Sequence, residues 1–281
     1  MKGTSARSTV GRARKRFGQH FLEAAWVNKL VTAVGATKDD AILEIGPGRA
    51  AITRPLAEQA GRLLAIEVDR DLAADLDASA LPNVTVVTGD FLSIDLLPIL
   101  TRWLGDPPGP ANQFRVVGNL PYNISSPILF TLLDLAARTR GVRDAMLMLQ
   151  KEVADRLVAK VGTGDYGVLT ILTAVNADVT RVLSLPPGAF RPQPRVHSAV
   201  VRLTFRPPTV EITDPEVFVR MVRTMFTQRR KTAGNALKPF AVERGVNAAA
   251  ALAAAGIDPT RRPETLQLAE MAALAGAFTR P

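Results

Sequence analysis

Cysteine is absent from this 281-residue chain. That excludes disulfides and thiolate chemistry and points to a reducing compartment, the cytoplasm. Histidine is scarce: His20 and His197 are the only two. A histidine-rich metal site is therefore not expected, and no metal is assigned. Aromatic residues make up 5%, with only two tyrosines. No apolar run reaches the roughly 18 residues that read as a membrane span, so no membrane association is expected. The N-terminus is basic but lacks a following apolar stretch, so no signal peptide is expected.

Apolar residues make up 47%, enough for a sizeable core. The length suits one large domain, or one domain plus a small partner. Basic residues outnumber acidic ones by 35 to 26, giving a net charge of +9. The excess is clustered. Arg12, Arg14, Lys15 and Arg16 form one knot, and Arg229, Arg230 and Lys231 form another. Clustered cations gain affinity for phosphates by releasing counterions, so both knots are candidate polyanion contacts. The plainer alternatives are a solvated tail for the first and a helix C-terminus for the second.

Residues 1–16 are small, polar and basic, and read as a flexible arm. A helix is expected over 24–34. Then short apolar strands alternate with helices: strands at Ala41–Gly46, Leu63–Asp69, Asn83–Asp90, Phe114–Asn119 and Asp144–Gln150, and helices at 50–60, 70–79, 126–137 and 152–159. Such alternation predicts an α/β fold with a doubly wound, mostly parallel sheet. Val179–Leu185 and Ser198–Phe205 read as strands without an intervening helix. Such a pair closes a sheet edge in antiparallel fashion. From about Asp214 the pattern is helical and alanine-rich. The expected division is 1–16, a catalytic α/β domain over 17–208, and a small helical domain over 209–281.

In such sheets, ligands bind at the carboxyl ends of the strands. "EIGPGRAAIT" (Glu44–Thr53) follows the first strand of the alternation. Gly46 and Gly48 let a ligand approach the backbone, and Pro47 stiffens the turn. The dinucleotide fingerprint is incomplete, because Ala51 stands where its third glycine would fall. Glu67 ends the next strand, where an acid grips ribose hydroxyls. Asp90 ends the third, where a carboxylate can accept from an adenine amine and Phe91 can pack on the ring. Together these predict an adenosine pocket. S-adenosylmethionine satisfies it without a phosphate grip.

"GNLPYNIS" (Gly118–Ser125) ends the fourth strand, at the same edge. An exocyclic base amine is a poor nucleophile, because its lone pair is delocalised into the ring. Two acceptors aimed at its N–H groups can free that lone pair. The Asn119 side-chain carbonyl is one candidate and the Leu120 main-chain carbonyl the other. Pro121 restricts Leu120 to extended backbone. Tyr122 offers a face for a flipped base to stack on.

These residues also carry a resemblance. "RKRFGQHFL" (Arg14–Leu22), "EIGPG", "NLPYNISSP", "LQKEVADRL" (Leu149–Leu157), "YGVL" (Tyr166–Leu169), "PPGAFRPQPRVHSAVVRL" (Pro186–Leu203) and "QRRKT" (Gln228–Thr232) occur in order. The set resembles the KsgA group of ribosomal RNA adenine N6-dimethyltransferases. The resemblance implies S-adenosylmethionine as methyl donor and two adjacent adenines near the 3′ end of small-subunit ribosomal RNA as target. It further implies a monomer acting on the assembling 30S particle. His20, Leu22, Gly46, Glu67, Asp90 and Asn119 would contact the cofactor, with Glu44 supporting its methionine end. Phe190 would cover the second face of the flipped adenine. The cationic knots, including Arg14, Lys15, Arg16, Arg229, Arg230 and Lys231, would meet RNA. His20 stands where many relatives carry asparagine, and Arg49 where a small or apolar residue is expected.

Three rivals remain open: an Erm-type methylase acting on large-subunit RNA, a non-catalytic RNA-binding assembly factor, and a nicotinamide-dependent oxidoreductase. The complete "NLPYNISSP" and "QRRKT" favour the KsgA type over the first. The adenosine pocket argues against pure binding. No hydride-transfer residues support the last.

Overall fold

A computed structural model describes residues 20–279. Its centre is a seven-stranded sheet. β2 (Ala41–Ile45) and β3 (Arg62–Glu67) are buried along nearly their whole length. Near-continuous apolar strands of this kind suit a parallel sheet covered on both faces. β4 (Val84–Thr88), β5 (Phe114–Asn119) and β6 (Val142–Gln150) extend the parallel array. β9 (Ser198–Phe205) and β7 (Ala177–Leu185) complete one edge as antiparallel strands, as the sequence predicts. The order is β4-β3-β2-β5-β6-β9-β7.

That order places the site. From β2 the sheet runs one way to β3 and the other way to β5, both parallel to it. The connections therefore diverge at the carboxyl ends of β2 and β5 and leave a crevice between them. The opposite end of the strands carries a buried ionic knot instead. Arg115 Nε donates to Asp144 Oδ1 at 2.8 Å, and its Nη1 meets Asp40 Oδ2 at 3.2 Å. Its Nη2 also donates to the Val34 carbonyl at 2.8 Å, which ties the strands to the end of α1 (Ala24–Val34).

Several elements depart from the sequence pattern. α2 (Thr53–Gln59) starts three residues late, because Ala50 takes a left-handed φ of 59° in the turn after the glycines. α4 (Leu96–Leu104) and α7 (Val168–Asn176) form where the pattern predicts no helix. A two-stranded ribbon also forms: β1 (Phe21–Leu22) pairs antiparallel with β8 (Phe190–Arg191). The remaining helices of the sheet region are α3 (Arg70–Ala78), α5 (Ser125–Thr139) and α6 (Lys151–Leu157).

After β9 the chain is helical, with α8 (Pro215–Thr227), α9 (Ala233–Glu243), α10 (Ala248–Ala254) and α11 (Leu268–Gly276). Asp214 caps α8 by accepting from the main-chain nitrogens of Glu216 and Val217, and Pro215 opens the first turn. These helices share one apolar cluster, including Phe218, Met221, Leu237 and Met271. Tyr166, Ile171, Leu172 and Val175 join that cluster from before β9. Among the described residues, no helix is long and apolar enough to cross a membrane.

Candidate active site

Glycine geometry shapes the floor of the crevice. Gly46 and Gly48 have φ of 68° and 57°, left-handed values that cost other residues about 1–2 kcal/mol. The Gly48 N–H donates to Glu67 Oε2 at 2.9 Å, and the Asp69 N–H donates to Glu67 Oε1 at 2.9 Å. Both carboxylate oxygens are thus oriented by main chain. Each keeps a further lone pair for a hydroxyl donor. Gly46, Gly48, Glu67 and Asn119 line one cavity with His20, Leu22 and Tyr122.

Beneath that floor lies Glu44, 1% exposed. Burial pushes its pKa up to about 7, opposed by the Thr53 hydroxyl and reinforced by the charge of Glu67. Among the described residues, neither Glu44 Oε2 nor Thr53 Oγ1 completes a hydrogen bond. Glu44 and Thr53 temper each other below the cavity lining, which includes neither, so the fit to a hydroxyl-bearing ligand rests on the left-handed glycine turn and the oriented Glu67 carboxylate. These residues therefore fit S-adenosylmethionine.

At the carboxyl end of β5, Asn119 is half-buried and faces this cavity. Its Nδ2 donates to the His20 main-chain carbonyl at 3.0 Å. That bond assigns the amide orientation and leaves Oδ1 with no partner among the described residues. Gly118 permits the tight approach of strand to strand here: a Cβ would sit 2.8 Å from Leu120 Cδ2 and 3.3 Å from the Ile45 carbonyl. The Leu120 side chain is buried. Its N–H donates to the Met148 carbonyl at 3.2 Å, so the motif is anchored on β6. Tyr122 is half-buried; its hydroxyl and Ser198 Oγ are 2.6 Å apart. Burial raises its pKa, opposed by the Ser198 bond.

The structure corrects several expectations. Phe190 is fully buried in the core cluster that holds Leu22 and Met148, so its ring offers no face to a base in this conformation. It is held there because β8 pairs with β1. Phe91 is 5% exposed and packs in the core beside the sheet. Asp90 is exposed and bonds its own turn, accepting from the Leu92 N–H at 3.0 Å. Neither is among the residues lining the cavity. Arg229 is tied by its Nε to Glu264 Oε2 at 2.7 Å, while Arg230 and Lys231 are exposed. Arg14, Lys15 and Arg16 lie outside the described residues. Phe21, Arg49 and Ser198 belong to the site although the sequence pattern does not mark them as ligands. Arg49 lies over the Phe21 ring at 4.3 Å from its centroid. Ser198 has no local signal, since only the fold brings it to a tyrosine 76 residues away.

A glycine turn, an oriented ribose-type acid and an Asn-Leu-Pro-Tyr strand end at one sheet edge define an S-adenosylmethionine-dependent methyltransferase of the amine-directed class. Comparison with known proteins narrows this. The family model described as ribosomal RNA adenine dimethylase matches residues 10–278. The chain belongs to that family. It is 45% identical over 270 residues to a ribosomal RNA small subunit methyltransferase A from Geobacter sulfurreducens, covering 94% of each chain. A protein of the same name from Xylella fastidiosa is 43% identical, with 94% of this chain and 96% of the relative covered. Among solved structures, the 23S rRNA methyltransferase ErmE is 28% identical with a TM-score of 0.63, covering 92% of this chain and 100% of the other. A dimethyladenosine transferase from Plasmodium falciparum shares the fold with a TM-score of 0.72 at 23% identity, covering 91% and 96%.

Proposed function

We propose that this enzyme methylates N6 of two adjacent adenines near the 3′ end of small-subunit ribosomal RNA, twice each. The observation that carries the reading is the Asn119 amide: its N–H side is engaged by His20, so its carbonyl oxygen is presented to the cavity. When bound, S-adenosylmethionine supplies an activated methyl group on a sulfonium. Gly46 and Gly48 would admit its main body, Glu67 would hold the ribose, and Glu44 would support the methionine end through the turn. His20 and Leu22 would close the cavity from the N-terminal side.

Asn119 Oδ1 accepts one amine N–H of the target and the Leu120 carbonyl the other. In the first transfer, drawing both hydrogens out of the base plane releases the nitrogen lone pair; in the second, the one remaining N–H is held by one of these acceptors and the first methyl group takes the other position. The site need only hold the reacting atoms about 3–3.5 Å apart in line. Tyr122 provides the stacking face, its hydroxyl fixed by Ser198. The proton lost on methylation leaves from a cationic amine to solvent, so no strong base is required. Arg230 and Lys231 would meet RNA phosphates, and the N-terminal knot would do the same. The division into a catalytic unit over 17–208 and a helical unit over 209–281 is supported by the separate helical cluster, although that cluster also recruits residues before β9. Such a substrate would put the enzyme in the cytoplasm, on the assembling 30S particle and as a monomer.

The test is transfer of labelled methyl groups to small and large ribosomal subunits separately, with the modified nucleotide mapped. Label on adjacent adenines of the small-subunit RNA supports the reading. Label on large-subunit RNA alone would replace it with the Erm-type activity.

A further inference from the structure

The sheet edge that carries the candidate active site continues past it. β5 pairs with β6 so that Asn119 lies opposite Met148, and β6 pairs with β9 so that Gln150 lies opposite Ser198. One edge therefore presents the end of β5, then the end of β6, then the beginning of β9, which runs the other way. A second cavity of about 520 Å³ opens there. That volume is within the range of about 300–1,000 Å³ usual for ligand sites. Arg195, Val196 and His197 line it from the loop before β9, and Lys151, Glu152 and Asp155 line it from the start of α6.

The two cavities are joined through Tyr122. That residue lines the first cavity, and its hydroxyl lies 2.6 Å from Oγ of Ser198, the chain neighbour of His197. The loop is anchored: the Lys151 N–H donates to the His197 carbonyl at 2.9 Å, and Pro194 is buried. The side chains of Arg195, Val196 and His197 are exposed, and among the described residues neither Arg195 nor His197 has a side-chain partner. On the helix side, Asp155 accepts from Lys151 Nζ at 2.7 Å and from Arg181. Glu152 has no side-chain partner among the described residues. Three cations, Lys151, Arg181 and Arg195, thus stand against two acids, Asp155 and Glu152, a balance that suits one phosphate and not a long anionic track.

We infer that this cavity is the subsite for the nucleotide next to the target adenine, with Arg195 on the intervening phosphate and the His197 imidazole against the neighbouring base. The inference rests on the proposed activity and deepens it. Two adjacent adenines share one Asn119, so the one that is not reacting must lie beside the site. Unstacked RNA bases are held against imidazole rings and guanidinium planes. The loop offers one of each, with the exposed Val196 between them.

The full-length enzyme and unmethylated small ribosomal subunits test this. His197→Ala should raise the KM for subunits about tenfold, the scale of one lost base stack. Arg195→Ala should reduce the log–log salt slope of subunit binding by roughly 0.7, the share of one single-strand phosphate. In both variants, affinity for S-adenosylmethionine by calorimetry should stay within about twofold. The melting temperature should hold, because neither side chain has a partner to lose. An abasic nucleotide placed beside the target in reconstituted subunits should raise the KM of the unmutated enzyme by a similar factor and abolish the effect of His197→Ala. Unchanged KM and salt slope when Arg195→Ala and His197→Ala are combined would overturn the inference. So would a His197→Ala effect that persists in full with the abasic subunits, or a loss confined to cofactor affinity or melting temperature. Should the combined variant fail to fold, the two single variants still decide. If the unmutated enzyme transfers no methyl group to small subunits, the functional reading itself falls, which is a distinct result.

Discussion

Asn119 and Glu44 do opposite kinds of work at the residue scale. Asn119 is exposed enough to meet substrate, and its amide is already aimed. Asn119→Ala should lower methyl transfer by at least about a hundredfold, the scale of losing an aligned transition-state hydrogen bond. S-adenosylmethionine affinity should change far less, which equilibrium binding can check. Glu44 is buried with its pKa raised to about 7, above its ordinary 4.5. The folded state therefore binds the proton more tightly than the unfolded state. Stability of the cofactor-free protein should fall as pH rises from about 4.5 to 7, and the cost should be complete above that window. Glu44→Gln should flatten this fall, as read by denaturant melts at several pH values. The glycine turn, Glu67 and the Asn-Leu-Pro-Tyr end are legible in the sequence because each is local chemistry at a strand end. The burial of Phe190 and Phe91 is not, because it depends on what packs against a ring from distant elements.

Element placement follows from strand burial more than from helix propensity. The strands of the parallel sheet are readable as short apolar runs. α7 is not readable in this way: Val168, Thr170, Ile171, Thr173 and Val175 favour a strand locally, and packing against the helical cluster overrides that preference. α4 carries Pro98 in its first turn, where proline is tolerated, but in the bare sequence a proline argues against a helix. β1 has two residues and exists only through β8, so no local signal marks it. The end of the strands opposite the site depends on Arg115. Arg115→Ala would leave Asp144 buried with its main partner gone. Such breaks cost about 3–5 kcal/mol, so the midpoint of urea unfolding should drop clearly. Affinity for S-adenosylmethionine well below that midpoint should hold, because the knot lies at the other end of the strands.

Over the whole molecule, the positive charge divides into structural and available parts. Arg229 holds Glu264 and bonds the Thr163 carbonyl at 3.4 Å, joining the α8–α9 turn to the loop after α6. Arg229→Ala should therefore lower the melting temperature. Replacing Arg230 and Lys231 together by glutamate should instead weaken RNA binding and flatten its dependence on salt, by roughly one unit of log–log slope or more. Filter binding across a salt series separates the two. The sequence pattern locates this knot but cannot say which of its cations the fold engages. The central claim is that Asn119 and Tyr122 present an adenine amine of small-subunit RNA to an activated methyl group. The most direct measurement maps methylated nucleotides on immature small subunits treated with the unmutated enzyme and with Asn119→Ala. The account predicts N6,N6-dimethyladenosine at two adjacent positions with the former and its near-complete loss with the latter. Undiminished dimethylation by Asn119→Ala would contradict it.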